Sequence, residues 1–545
     1  MTFHNSFRML AICLAPCALL AADPAAGPIR FDDVTAQSGI HFTHSFGSAQ
    51  LGSLIESTGA GCAWLDYNND GKPDLYVASG RPLEKGMHPY PLKKAPETPP
   101  HNHLYRNDGN GKFTDVTDQA GVPGDGFSFS AVAADFDNDG YTDLLVMSYG
   151  HVTLYRNKGN GTFEDVTAKA GLDKVKGWAI NAAWLDYDRD GCVDLFIGRY
   201  VKFDPTYHSY YAADSFPGPL DYEGDTNLLF HNNCHGGFTD VSEASGIAGL
   251  VGRAMGVTAA DFDGDGYPDI YVANDKTENF LLHNKRNGTF EEIALDAGAA
   301  FGQNGESTSA MGPVFFDMDN TGAMDLWVSD SKYNRLLKNT GKLPFQDVTQ
   351  QAGISQLTAQ YTSWGTGVQD FDNDGWTDLF IAHGGLIHMV PQEDSLFRNL
   401  GGGKFQDVST TGGPFFDTKS VGRGACFADY DNDGKMDAFL VNLGGPGVLL
   451  HNVTAGAGHW LMIHLVGTKS NRDGIGAKVE VVAGGLKQTS QRVAGSDYLS
   501  QDDWRLHFGL GGNARVGKIT VTWPSGTVQT LENVAADQVL TVTEK

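Results

Sequence analysis

The chain has 545 residues, enough for one large and one small domain, and its 66 Asp and Glu residues against 39 Lys and Arg give a net charge of −27. This charge disfavours nucleic acid or an anionic membrane surface as a partner, because both are themselves negative. The sequence contains no basic patch, Walker loop or dinucleotide fingerprint.

The N-terminus predicts a signal peptide over residues 1–22. Arg8 precedes an apolar stretch, residues 9–20, that ends in small residues. The stretch is shorter than a membrane span, and no other run in the sequence reaches 18 apolar residues. We therefore expect a secreted, periplasmic or cell-surface protein without a membrane span. Cys17 leaves lipidation open as an alternative.

Seven acidic nonapeptides, named loop 1 to loop 7 in chain order, are the most specific motif. They occupy residues 66–74, 135–143, 186–194, 261–269, 317–325, 370–378 and 429–437. Oxygen-bearing side chains stand at positions 1, 3, 5 and 9, and glycine at position 6 permits a sharp turn. Calcium prefers six to eight oxygen ligands, so the loops predict up to seven Ca²⁺ sites. Acidic turns without a metal are the alternative.

The predicted metal ligands are the four oxygen-bearing residues of each loop. They are Asp66, Asn68, Asp70 and Asp74; Asp135, Asp137, Asp139 and Asp143; Asp186, Asp188, Asp190 and Asp194; Asp261, Asp263, Asp265 and Asp269; Asp317, Asp319, Thr321 and Asp325; Asp370, Asp372, Asp374 and Asp378; Asp429, Asp431, Asp433 and Asp437. Asn68 retains an amide oxygen where most loops have Asp. Thr321 removes one charge, so we expect the site at Asp317–Asp325 to be the weakest.

The loops are not EF-hands, because an EF-hand needs a glutamate at position 12 and a helix on either side. Position 12 is Val77 in loop 1 and Val146 in loop 2. Each loop is followed by a short aliphatic and aromatic run, which predicts a β-strand.

A second repeat, Phe-x-Asp-Val-Thr or a near relative, also occurs seven times. It begins at Phe31, Phe113, Phe163, Phe238, Phe290, Phe345 and Phe405, while the loops recur every 51 to 75 residues. A period of this length with several short strands is typical of a β-propeller. The first unit precedes loop 1 and no unit follows loop 7, so the N-terminal strand is predicted to complete the last blade. We predict an all-β fold with a seven-bladed propeller over residues 29–452.

Small residues stand five positions before each loop. They are Gly61, Ser130, Asn181, Gly256, Gly312, Gly365 and Gly424. We expect them where the innermost strands crowd around the axis of the ring.

Four cysteines remain after the predicted signal segment. Cys62 and Cys426 precede loops of blades that adjoin in a closed ring, and Cys192 and Cys234 belong to one repeat. We therefore hypothesise these two disulfide pairs. Buried free thiols are the alternative.

After residues 455–458, a glycine-rich linker, the repeats stop. Residues 459–545 alternate polar and apolar side chains in short runs separated by turn signals. This pattern predicts a small β-sandwich-like domain.

Motifs of the last domain and of the acidic loops both resemble those of a known family. Four motifs of the last domain carry part of the resemblance: Ser470-Asn-Arg-Asp-Gly-Ile-Gly-Ala477, Tyr498-Leu-Ser-Gln501, His507-Phe-Gly-Leu-Gly511 and Val521-Thr-Trp-Pro-Ser-Gly526. They are similar to the ASPIC/UnbV domain, and the acidic loops resemble the FG-GAP/VCBS repeats of integrin-α-like propellers. The combination resembles the cartilage acidic protein family, in its bacterial form. The resemblance implies a secreted calcium-binding protein with an adhesion or interaction role.

Two insertions interrupt the regular spacing, at residues 81–101 and 200–224. The second is aromatic, and long loops on a rigid scaffold often carry binding residues. We predict a ligand contact at Tyr207, Tyr210 and Tyr211. The alternative is that this insertion packs over the mouth of the channel with its aromatic side chains buried.

Three functions are consistent with these features. We predict an extracellular interaction or adhesion module that uses Ca²⁺ and binds a protein or a polysaccharide. The first alternative is a polysaccharide-active enzyme, a lyase or hydrolase, with its site on one face of the propeller. The second is a structural surface or matrix protein.

Overall fold

The fold is taken from a computed structural model, which describes residues 27–47, 51–83, 100–207, 216–386 and 388–545. The predicted signal segment, residues 1–22, lies outside the described residues, as do Tyr210 and Tyr211. Within the described part of the chain, no helix has the length and apolar character needed to cross a bilayer.

Seven four-stranded antiparallel sheets form a propeller, which confirms the predicted fold class. The strands, innermost first, are as follows. Blade 1 has Cys62–Leu65, Asp74–Val77, His103–Gly109 and Lys112–Asp115; blade 2 has Ser128–Ala134, Asp143–Ser148, His151–Asn157 and Phe163–Asp165; blade 3 has Ala179–Leu185, Asp194–Arg199, Leu228–Asn232 and Phe238–Asp240; blade 4 has Ala254–Ala260, Asp269–Asn274, Phe280–Asn284 and Phe290–Glu292. Blade 5 has Ala310–Phe316, Asp325–Asp330, Arg335–Lys338 and Gln346–Asp347; blade 6 has Ser363–Gln369, Asp378–His383, Ser395–Asn399 and Phe405–Asp407; blade 7 has Gly422–Ala428, Asp437–Asn442, Val448–Asn452 and Phe31–Asp33.

The Phe-x-Asp-Val-Thr repeat forms the outermost strand and the turn that ends it. In blade 1, the Asp115 carboxylate accepts the Thr117 N–H at 3.0 Å, and the Thr117 hydroxyl accepts the Leu104 N–H at 2.8 Å. The same two bonds recur in blades 2, 3, 5, 6 and 7. These side chains accept hydrogen bonds from backbone N–H groups that have no partner strand at the end of the sheet.

The ring closes by non-covalent and covalent contacts between its first and last blades. Phe31–Asp33 pairs with Val448–Asn452, as the stagger of the repeats predicts. The Cys62–Cys426 disulfide joins the innermost strands of blades 1 and 7, with 6.0 Å between the Cα atoms. Closure leaves the sheet without the exposed edges that an open array would have.

A second disulfide, Cys192–Cys234, lies inside blade 3, with 5.6 Å between the Cα atoms. Both hypothesised pairs are therefore confirmed. Disulfides persist in oxidising compartments, so the two bonds suggest an extracellular protein.

Short helices and one small ribbon complete the connections of the propeller. The α-helices are Thr35–Ser38, Leu54–Thr58, Thr117–Ala120, Thr349–Ala352 and Ser355–Thr358; the 3₁₀ turns are Leu172–Lys174, Pro219–Asp221, Ile247–Gly249, Ser409–Thr411 and Pro414–Asp417; the ribbon pairs Asp225–Thr226 with Val251–Gly252.

The C-terminal domain consists of two sheets that share one apolar core. One sheet has the strands Leu506–Gly511, His459–Val466 and Gln538–Thr543; the other has Leu486–Gln491, Lys478–Ala483, Arg515–Thr522 and Val528–Ala535. Buried residues of both sheets, including Ile463, Val481 and Trp523, pack together between them. The arrangement agrees with the predicted small β domain.

A segment of the C-terminal domain, residues 493–503, enters the central channel and is named the plug. The Trp184 N–H donates to Ala494 O at 2.8 Å, and the Asp497 N–H donates to Pro313 O at 3.0 Å. Tyr498 is fully buried, and its hydroxyl donates to Thr58 O at 2.8 Å. The plug therefore bonds to innermost strands around the ring and reaches the connections at its far end.

The axial glycines predicted from the sequence make room for this plug. A Cβ atom on Gly61 would overlap Leu499 O, and a Cβ atom on Gly312 would overlap the Asp497 carboxylate. The crowding at the axis thus comes from a segment of the other domain as well as from neighbouring blades.

We expect Gly61→Ala to lower the free energy of unfolding by about 1–3 kcal/mol, because the plug backbone must shift to admit the methyl group. Gly249→Ala is the matched control, since no atom lies within 4 Å of its added Cβ. We expect this control to stay within about 0.5 kcal/mol of the wild type. Urea denaturation of the full chain measures both, and equal midpoints for the two variants would contradict a seated plug.

Candidate metal centres

The seven acidic loops lie at one end of the propeller, here named the loop face. Each loop connects the innermost strand of a blade to the second strand, as Asp66–Asp74 does between Cys62–Leu65 and Asp74–Val77. Because all seven connections are of the same kind, they form a ring around the axis.

The position-1 aspartate organises the backbone of each loop. In loop 2, Asp135 accepts the Asp139 N–H at 2.9 Å with Oδ1 and the Gly140 N–H at 2.7 Å with Oδ2. All seven loops contain this pair of bonds. The pair holds the turn in a shape that directs the other side chains inward.

The position-9 aspartate links the loop to the third strand of its blade. Asp74 accepts the Tyr67 N–H at 3.2 Å and the backbone N–H of Asn107 at 2.7 Å. Equivalent bonds occur in every blade, and all seven position-9 aspartates are buried.

The asparagine at the end of each third strand then ties neighbouring blades together. Asn107 Nδ2 donates to Pro73 O of its own loop at 3.0 Å and to Tyr430 O of the preceding loop in the ring at 2.7 Å. The same bridge is made by Asn157, Asn232, Asn284, Asn339, Asn399 and Asn452. The loops are therefore part of the contact between blades.

The position-3 aspartates provide the direct test of whether a cation fits. Asp137, Asp188, Asp319 and Asp372 each have a buried Oδ1 atom without a hydrogen-bond partner among the described residues. One ligand atom from each of Asp135, Asp137 and Asp143 lies within 4.8 Å of the other two, and loop 3 has the same arrangement. Buried carboxylate oxygens that converge in this way fit a hard cation.

Burial makes these carboxylates costly to ionise. Burial, followed by the charges of its loop neighbours, raises the pKa of Asp186 to about 8. Burial, followed by the charge of Asp473 in the C-terminal domain, raises the pKa of Asp135 to about 8. A divalent cation would offset both causes, because it replaces lost hydration and cancels the repulsion.

A basic residue stands beside each site, directly before the bridging asparagine. The seven are Arg106, Arg156, His231, His283, Lys338, Arg398 and His451. Arg398 lies 2.7 Å from Asp372, and His231 Nδ1 lies 3.1 Å from Asp194. Arg106 differs, since it pairs with Asp108 outside loop 1. The sequence analysis did not assign these residues a role, although the repeated basic-Asn pair was a visible signal.

The two divergent loops keep the common backbone. In loop 1, Asn68 Oδ1 accepts the Asp70 N–H at 3.1 Å. In loop 5, the Thr321 N–H still donates to Asp317 at 2.9 Å, and Lys338 contacts Asp319. Loop 5 thus keeps the common backbone with one carboxylate fewer, and its weaker binding stays a prediction.

The C-terminal domain rests on the loop face. Its Asp473 carboxylate accepts the Asp135 N–H at 2.8 Å, and its Gln491 side chain accepts the Asp261 N–H at 2.9 Å. Arg505 donates to Asp429 O at 2.9 Å. Loops 2, 4 and 7 therefore contact the second domain through the backbone of position 1.

Tyr207, the described residue of the predicted ligand contact, lies at the opposite end of the propeller. Tyr207 is 44% exposed, and its ring lies 5.9 Å from that of Tyr222. Tyr200, Phe216 and Tyr222 of the same insertion are buried near the end of the plug. Most described aromatic side chains of the insertion therefore pack inward, and Tyr207 stays accessible.

A seven-bladed propeller with an acidic, metal-competent loop in every blade is the architecture of FG-GAP repeat proteins. The FG-GAP-like repeat model matches residues 66–146, 135–197, 218–272, 261–328, 317–381 and 370–440. The chain belongs to this family. The ASPIC and UnbV model matches residues 467–545, which covers most of the C-terminal domain.

Curated relatives share part of the chain. Cartilage acidic protein 1 of Homo sapiens is 24% identical over 322 residues, which cover 56% of this chain and 46% of the relative. The Xenopus tropicalis protein is 25% identical over 277 residues, covering 48% and 40%. The chain thus aligns with about half the length of the curated relatives it matches.

Solved structures with a related shape are more distant. An Agrocybe aegerita lectin that recognises non-reducing terminal N-acetylglucosamine has 16% identity and a TM-score of 0.37, covering 71% of this chain and 86% of its own. An exotype rhamnogalacturonan lyase has 14% identity and a TM-score of 0.32, covering 88% and 82%.

The raised carboxyl pKa values predict how stability without metal depends on pH. The folded pKa of about 8 at Asp186 and Asp135 exceeds the ordinary aspartate value of 3.8, so the folded state holds extra protons that it loses as pH rises. With chelator, we expect the free energy of unfolding to fall between about pH 6.5 and 8, by about 1 kcal/mol per pH unit for each retained proton.

Buried His44 and His383 do not oppose this trend in that window. Burial lowers the pKa of each to about 3, so their effect is confined to pH values below their unfolded value of 6.5. Urea denaturation at several pH values measures the slope. A chelated protein that gains stability between pH 6.5 and 8 would contradict the electrostatic description of the loops.

Proposed function

We propose that this chain is a secreted calcium-binding propeller that acts as an extracellular interaction or adhesion module for a protein or a glycan. The observation that carries the metal part is the set of buried, unpartnered carboxylate oxygens at position 3 of the loops. The two disulfides support a location outside the cytosol.

Calcium is the metal that best suits the donors. The loops offer carboxylate oxygens almost exclusively, and hard oxygen ligands select calcium or magnesium over transition metals. Calcium tolerates irregular coordination, whereas magnesium demands near-octahedral geometry and retains water. Extracellular calcium modules bind at roughly 10⁻⁴ to 10⁻³ M, which matches a compartment rich in the ion.

The energetic effect of several such sites is large. Free calcium at about ten times the Kd stabilises the folded state by about 1.4 kcal/mol per site. Several independent sites together would equal the whole stability of a typical domain, about 5–15 kcal/mol. The role of the metal is therefore structural: it holds the turn between two strands and, through position 9 and the bridging asparagine, the contact between blades.

The partner surface is proposed at the end opposite the C-terminal domain. Tyr207, Leu220 and Val251 are 44%, 65% and 56% exposed on blade 3 and its junction with blade 4. Exposed apolar side chains that lie close together often mark interaction sites. The loop face is less suitable, because the C-terminal domain covers part of it.

Calcium dependence is tested by the melting temperature of the mature protein. We expect chelation to lower it by more than about 10 °C, because each kcal/mol lost shifts the midpoint of a large domain by a few degrees. Calcium should restore the value, and an equal concentration of magnesium should not. An unchanged melting temperature after chelation would overturn the metal part of the proposal.

The partner surface is tested by substituting Tyr207, Tyr210 and Tyr211 together with alanine. We expect binding to an array of polysaccharides and matrix proteins to be lost, because the exposed Tyr207 ring would supply part of the contact. Tyr333→Ala is the matched control, since Tyr333 is 58% exposed on another blade at the same end. Unchanged binding by the triple variant would rule out this surface as the partner site. Release of oligosaccharides from the array would favour a polysaccharide-active enzyme.

A further inference from the structure

A cavity of about 570 Å³ lies between the loop face of blades 1 and 2 and the C-terminal domain. Asp66 and Asp135 line it from the propeller, and His464, Arg492 and Trp504 line it from the other domain. The volume is within the range of small-molecule sites, roughly 300–1,000 Å³. The exposed strand Gln538–Thr543 contributes the rim, through Val539 and Thr541.

Arg492 is the unusual member of this lining. It is only 4% exposed, and its one side-chain hydrogen bond to the described residues runs from Nη1 to Val493 O. No carboxylate of the described residues lies within ion-pair distance of it, in contrast to Arg505, which pairs with Asp503 at 2.6 Å. A buried guanidinium without a hydrogen-bonded carboxylate is costly, because the charges of Asp473 and Asp503 act on it only from beyond ion-pair distance.

Of the other charged groups of the cavity, Arg472 is exposed to solvent, and the rest are already engaged. Arg505 is held by Asp503 and by Asp429 O. The Asp473 carboxylate accepts the Asp135 N–H. Arg492 is therefore the group whose remaining N–H donors face the cavity without a protein acceptor in the described chain.

We propose that this interdomain cavity binds a carboxylate-bearing sugar, with the carboxylate on the Arg492 guanidinium. The two oxygens of a carboxylate match two parallel N–H donors of a guanidinium. Asp473 on the wall disfavours a second negative charge, so a singly charged carboxylate fits better than a phosphate or sulfate dianion. His464 and Thr541 are placed to bond hydroxyl groups, and the Trp504 indole supplies an apolar wall.

In one respect this site rests on the proposed function. Asp66 and Asp135 are also position-1 residues of loops 1 and 2, so a cation bound in these loops would place positive charge beside the cavity. We therefore expect the carboxylate to bind more weakly when the loops are depleted of metal.

The test is calorimetric titration of the mature protein, in calcium, with galacturonate, glucuronate, acetate, glucose and inorganic sulfate. We expect the uronates to bind, glucose and sulfate to bind at least about tenfold more weakly, and Arg492→Met to weaken uronate binding by about tenfold or more. Arg515→Met is the matched control, because Arg515 is an exposed arginine of the same domain. Acetate binding that depends on Arg492 would also support the carboxylate site, without selectivity for a sugar.

A melting curve separates a ligand role from a structural one. We expect ligand-free Arg492→Met to melt no lower than the wild type, because the substitution removes a buried charge that has no hydrogen-bonded carboxylate. If that variant fails to fold, Thr541→Trp provides a second test, since it narrows the rim from an exposed position.

Two results would overturn the site: no uronate or acetate binding by the wild type, or binding that Arg492→Met and Thr541→Trp leave unchanged. A chelator series keeps this failure apart from a failure of the metal proposal. An Arg492-dependent uronate signal that persists where chelation changes neither binding nor melting would retain the cavity and remove the metal. A lower melting temperature on chelation, without any uronate binding, would support the metal sites and rule out the cavity as a uronate site.

Discussion

The convergence of buried carboxylates at one face of the ring is the constraint on which the remaining structure depends. Like charges about 4 Å apart repel by about 4 kcal/mol at the effective dielectric of a protein surface. The loops nevertheless place their position-9 aspartates in full burial and use them to hold the third strands. The bridging asparagines then hydrogen-bond to a loop of the neighbouring blade. A cation in each loop would make this arrangement favourable.

The plug adds a second constraint, which comes from another domain. Seven innermost strands leave a channel that their own small side chains do not fill, and residues 493–503 occupy it with hydrogen bonds to several blades. The propeller and the C-terminal domain thus share a core at the axis and a polar contact at the loop face. Each domain would lose these contacts if the other were absent, so we expect the propeller and the C-terminal domain to unfold together.

Much of this architecture could be predicted from the sequence, because a motif that recurs seven times is far more specific than a single copy. The seven loops, the blade count and the strand of blade 7 at Phe31 followed from spacing. Spacing also supported the two disulfide pairs as a hypothesis, while free thiols stayed open until the structure was known. The glycines at the axis were recognised, but their neighbour was not, because Tyr498 is more than 400 residues from Gly61 in the chain. The unpaired charge of Arg492 was equally invisible, since burial between domains has no local sequence pattern.

The central claim is that the loops bind calcium in the folded chain, and counting the ions tests it most directly. The measurement is equilibrium dialysis of the purified mature protein against calcium at about ten times the expected Kd, with the bound ion taken as the excess on the protein side. The account predicts six or seven calcium ions per chain, the lower number if loop 5, with Thr321, remains empty. A value of one or none per chain, with the propeller still folded, would contradict it.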